Sequence, residues 1–118
     1  MRGSERDAAY LWDMLDAAKH VREFIAGVDW PAFQADELRE AAVERMLEVI
    51  GEAARRVSTD FQAGHLEIPW SDIIGQRNVL AHEYAEVIPE LVWKTASEDV
   101  PKLIEALEKL VPPAPETD

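Results

Sequence analysis

Arg77-Asn78-Val79-Leu80-Ala81-His82-Glu83-Tyr84 is the stretch from which the rest of the chain is read. It closes a predicted helix that runs from Trp70 to Tyr84. At about 100° per residue, Arg77 and Tyr84 return to nearly the same face. Asn78 and His82 form the adjacent stripe, one turn apart. The four polar groups make one front, and Ile73, Ile74, Val79 and Leu80 are left for a core. Such a front suits phosphate chemistry. A guanidinium fork grips phosphoryl oxygens in two places, and an imidazole with pKa ~6.5 exchanges protons near neutrality. A plainer reading exists for the same residues: Arg77 pairs with an acidic neighbour, and His82 is a cation at a helix C-terminus. The surrounding sequence has to weigh the two.

The chain of 118 residues is long enough for one domain with one core. Its 47% hydrophobic and 31% charged residues are those of a soluble globular protein. Without cysteine there is no disulfide framework and no thiolate metal site. No apolar run approaches the ~20 residues of a membrane span, and Met1 to Asp7 leads into an amphipathic helix without a signal-peptide block. A cytoplasmic protein is expected, with no membrane partner. The net charge of −12 argues against a sequence-independent nucleic-acid binder with a basic face. It leaves room for an enzyme that touches RNA through a local pocket.

Outward from the organising stretch, helical spacing continues. A first helix is expected from Glu5 to Ala26, with Ser4 as N-cap, Asp7 in the first turn and Gly27 as stop. Its buried stripe is Leu11, Met14, Leu15, Ala18, Val21, Phe24 and Ile25, and His20 is a solvated or packed helix residue. Asp29-Trp30-Pro31 starts a short helix to Gln34. A second long helix follows from Asp36 to Arg56 or Val57, burying Leu38, Ala42, Val43, Met46, Leu47, Ile50, Ala53, Ala54 and Val57. Gly51 in its middle costs about 1 kcal/mol against alanine, which suggests close helix packing. Beside it, Glu52 either faces the crevice of the Arg-His helix or is a surface carboxylate. Ser58 to Gly64 reads as a fraying extension or short turn, and His65 as a loop residue. Ile68-Pro69-Trp70 begins the organising helix, with Trp70 as a hydrophobic clasp. A last helix from Pro89 to Leu110 carries Leu91, Val92, Thr95, Val100, Leu103, Ile104, Leu107 and Leu110 on its apolar side. Pro101 should kink it or restart it near Ser97. The expectation is a single all-α domain over 1–111, with four principal helices plus a short one. Residues 112–118 form a proline-rich tail expected to lack order.

The ordered series Ile50-Gly51-Glu52-Ala53-Ala54, Ile68-Pro69-Trp70, Ile73-Ile74-Gly75, Arg77-Asn78 and His82-x-Tyr84 resembles the HepT-like branch of the HEPN superfamily. The similarity covers about residues 7 to 110. An Arg-x4-His pair alone would be weak; the whole series is specific. The resemblance implies a HEPN-like helical bundle and a metal-independent endoribonuclease toxin, with its active site at a homodimer interface and no cofactor. Larger assemblies remain open. Carried over by position, Arg77 and His82 are the catalytic pair, Asn78 and Glu52 support them, and Tyr84 is the phenol that receives AMP. The implied partners are an RNA substrate and an MntA-like nucleotidyltransferase antitoxin.

The residues fit that chemistry. Cleavage of RNA through its 2′-hydroxyl needs a base, an acid for the leaving 5′-oxygen, and a positive clamp on the phosphorane. A twofold dimer supplies two copies of His82 and of Arg77. A metal hydrolase built on His82 and Glu86 is the weaker reading, because no second histidine stands nearby and no HExxH pattern occurs. A non-catalytic helical module that binds a nucleotide or a partner remains the alternative, since a motif does not prove turnover.

Overall fold

The computed structural model describes residues 3–75 and 88–111. Arg77, Asn78, His82 and Tyr84 lie outside the described residues, as do the expected end of their helix and the proline-rich tail. Among the described residues every regular element is helical, so the chain is the expected all-α, HEPN-like bundle.

Helix α1 spans Gly3–Ile25. It begins at Gly3, one residue before the expected Ser4; helix ends shift by a residue or two for want of a strong signal. Gly27 ends it with a φ of 73°. Space for a Cβ exists there, but that backbone conformation penalises any other L-residue. Leu11, Met14, Leu15, Ala18 and Val21 are buried as the periodicity requires, Ala17 joins them, and Phe24 and Ile25 are half-buried. Each large side chain in this stripe contributes about 1.5–3 kcal/mol by leaving water.

Helix α2 (Trp30–Gln34) starts where Asp29 accepts the Ala32 N–H at 3.0 Å, with Pro31 in its first turn. Helix α3 (Glu37–Arg56) is capped by Asp36, whose carboxylate accepts the Arg39 N–H at 3.0 Å. The same arginine reaches back to the Phe24 carbonyl at the end of α1, so one residue ties both helix ends together. Val43, Leu47, Ile50, Gly51, Ala53 and Ala54 are buried. Leu38 corrects the expected stripe: it is 85% exposed.

Ser58 to Gly64 is not a fraying extension. Ser58 caps a separate helix, α4 (Thr59–Gly64), by accepting the Phe61 N–H at 3.2 Å. Residues 70–75 are helical and are labelled α5.

The last segment passes Pro101 without a break by changing its hydrogen-bond register. Helix α6 (Pro89–Lys94) passes into a π-turn (Thr95–Asp99) and then α7 (Val100–Leu110). The Val100 N–H bonds to the Thr95 carbonyl, so the extra residue is absorbed next to the proline, which has no N–H to offer. The chain does not restart at Ser97, whose hydroxyl instead donates to the Trp93 carbonyl at 2.7 Å. Leu91, expected in the buried stripe, is half exposed. Helix α1 packs on α3 and α7, and the π-turn joins α6, α7 and α1 in one core. Trp93 stands 5.0 Å from Phe33 and 6.4 Å from Trp30, which locks α2 against α6.

Candidate functional site

Two described segments belong to the motif series. The first is the entry to α5. Ile68 and Trp70 are buried, and the Trp70 indole N–H donates to the His65 carbonyl at 2.9 Å. Phe61 meets the Trp70 ring edge-on at 6.3 Å and stacks on His65 at 4.2 Å. Trp70 is thus the clasp its sequence context predicts, and His65 is a packed connector that also meets Glu67 at 3.2 Å. This anchor fixes the start of α5. Ile73 and Ile74 rest partly buried on the core.

The second segment is Gly51-Glu52-Ala53 on α3. Gly51 and Ala53 are buried, and the periodicity leaves Glu52 at the edge of the core. Its Oε1 receives Arg55 at 2.8 Å and Arg56 at 2.9 Å, the residues one turn ahead of it. The hydrogen bond from Arg55 and, behind it, that from Arg56 hold the Glu52 carboxyl below the usual carboxylate range. Glu52 is therefore ionised at neutral pH.

Glu52 lines an open groove of about 600 Å³ between α1 and α3, together with Tyr10, His20, Arg45, Arg55 and Arg56. His20 is half exposed; its Nδ1–H donates to the Asp16 carbonyl at 2.7 Å, and its ring leans on Phe24. A separate cavity of about 350 Å³ lies between α3, the start of α5, the π-turn and α7, walled by Leu47, Ile50, Ile73, Val100 and Leu103. Glu52 does not line it. Among the expected site residues the structure places Glu52 alone. It adds Arg55 and Arg56 as its partners, a pair legible in the sequence from the three- and four-residue spacing but not singled out there. Among the described residues, no three His, Asp or Glu side chains are grouped closely enough to hold a metal ion. No helix of those residues is long and apolar enough to cross a membrane.

A helical bundle with a clasped helix leading to an Arg-x4-His-x-Tyr stretch defines the class: an all-α, HEPN-like nuclease fold. The comparisons carry this to the family. The family described as Ribonuclease HepT-like matches residues 14–110, and the chain belongs to it. The chain is 40% identical over 106 residues to "Putative RNase MJ1380" of Methanocaldococcus jannaschii, covering 89% of this chain and 97% of that protein. It is 38% identical over 110 residues to "Probable ribonuclease HepT" of Thermococcus cleftensis, covering 93% and 98%. A third relative, "Putative RNase TTE0752" of Caldanaerobacter subterraneus, is 30% identical over 102 residues, covering 86% and 91%. No solved structure matches the chain.

Proposed function

We propose that this endoribonuclease is the toxin of a toxin–antitoxin pair and that it cuts RNA with Arg77 and His82. The observation that carries the reading is the family match over residues 14–110, a span that contains the whole motif series. The proposed site is metal-independent and lies across a homodimer interface. There one His82 takes the proton from the 2′-hydroxyl as its oxygen attacks phosphorus. The second His82 gives a proton to the departing 5′-oxygen, leaving a 2′,3′-cyclic phosphate and a 5′-hydroxyl. Arg77 from each chain stabilises the charge that develops on the phosphorane. Asn78 and Glu52 support the pair.

In this reading an MntA-like nucleotidyltransferase is the antitoxin, and the Tyr84 phenol is where it places AMP. The added phosphate repels the substrate backbone and competes for its arginine, while the adenosine fills the groove. Inducing wild type, His82→Ala and Tyr84→Phe in cells, with the cut RNA ends analysed in parallel, tests the reading. Wild type should arrest growth and leave cyclic phosphate ends. His82→Ala should lose at least about 100-fold in cleavage rate and permit growth. Tyr84→Phe should escape the antitoxin's modification. Harmless wild type with intact RNA would transfer the polar front to a binding module. Full activity in a heterodimer with one His82→Ala chain would remove the two-histidine mechanism.

A further inference from the structure

The balance of charge at Glu52 differs from that at the other described arginine and lysine ion pairs. Lys19 with Glu108, Arg39 with Asp36 and Arg45 with Glu48 each match one cation to one carboxylate. Arg55 and Arg56 share Glu52, and they share the same oxygen of it. Taken by themselves, Glu52, Arg55 and Arg56 carry one positive charge in a chain whose formal net charge is −12.

Both guanidiniums are about half exposed, at 53% and 54%. They stand in the last turn of α3, where the helix dipole itself favours cations, so their placement does not depend on Glu52 alone. A guanidinium has five N–H donors. Arg55 uses Nη2 on Glu52, and Arg56 uses Nε and Nη2, so donors remain on both in the groove they line. Asp13, Asp16 and Glu48 line the same groove. An RNA strand would be repelled along its length, and contact has to be local.

We propose that Arg55 and Arg56 form a phosphate-binding station for the backbone of the RNA substrate, an inference that rests on the ribonuclease reading above. A phosphodiester offers two non-bridging oxygens to two guanidinium forks, and its negative charge complements theirs. The station lets a strongly acidic chain hold RNA without a basic face. It acts on binding rather than on the chemical step.

The test uses the full chain carrying His82→Ala, so that RNA stays intact, and a short fluorescein-labelled oligouridylate read by fluorescence anisotropy. Adding Arg55→Ala and Arg56→Ala should weaken binding about tenfold at low salt. It should also flatten the log–log salt dependence by about 1.4, the value for two phosphate contacts on a single strand. Arg55→Lys with Arg56→Lys should keep the salt slope and recover part of the affinity, because charge stays while the fork is lost. A purely structural role would lower the melting temperature and leave the salt slope where it was. An unchanged slope, or a parent chain that does not bind the probe, overturns the proposal. In the otherwise wild-type enzyme, the double alanine variant should raise KM far more than it lowers kcat. RNA cutting with an unchanged KM would sink the station and spare the ribonuclease reading. Binding with the expected slope but no cutting by wild type would do the reverse.

Discussion

The Asp7 carboxylate accepts both the backbone N–H and the hydroxyl of Ser58, at 2.8 and 2.7 Å, across 51 positions of sequence. Ser58 in turn accepts the Phe61 N–H, so a residue of α1 sets where α4 begins. Asp7 is buried, and its removal would leave the Ser58 donors without this partner. Asp7→Ala should cost about 1–3 kcal/mol in urea unfolding. An effect no larger than that of an ordinary surface substitution would show that water replaces the link.

Leu38 and Leu47 both lie on α3, yet the first is 85% exposed and the second 6%. Leu47→Ala should destabilise by about 2–5 kcal/mol, and Leu38→Ala should stay within about 0.5 kcal/mol. Equal losses would mean that Leu38 is covered in solution by something outside this chain's own core.

Glu44 is raised above the usual carboxylate range, first by burial and then by Glu40 and Glu48, one turn away on either side. A raised carboxyl binds its proton more tightly in the folded state. The cost of its charge is therefore present above the folded pKa and fades as pH falls below the unfolded value near ~4.3. Glu44→Gln should stabilise by about 0.5 kcal/mol at neutral pH and by nothing near pH ~3. Thermal melts at the two pH values check the sign.

His20 is raised as well, with the opposite effect on stability. Its hydrogen bond to the Asp16 carbonyl, followed by the charge of the Asp16 carboxylate, raises its pKa above the ordinary value. Its contribution to stability is fully present below about pH 6.5 and is lost as pH rises through the folded pKa. An NMR titration should find the imidazole above the ordinary value. Asp16→Asn should bring it part of the way down, because the carbonyl partner remains. A titration at or below the ordinary value would contradict the contact.

The buried stripe of α1, the capping of α2 by Asp29 and of α3 by Asp36, the stop at Gly27 and the clasp at Trp70 are legible as local patterns. Each depends on groups within a turn or two of one another, and local rules suffice for those. The catalytic candidates Arg77, His82, Asn78 and Tyr84 are likewise readable through their order and spacing, and they lie outside the described residues. Glu52 is readable as a motif member, and its two arginine partners are readable from the three- and four-residue spacing that α3 turns into contacts.

Sequence by itself determined that this chain is an all-α bundle of the HepT-like ribonuclease family, because periodicity, caps and motif order are properties of neighbours along the chain. Tertiary structure decided the rest. It left Leu38 and Leu91 in water, since periodicity assigns a side chain to a face and only another element's reach can bury it. It made α4 from an expected turn, because Ser58 caps that helix while held by Asp7 from a distant helix. It carried the chain past Pro101 as a π-turn, since α7 has to stay packed on α1 and a change of hydrogen-bond register keeps it there.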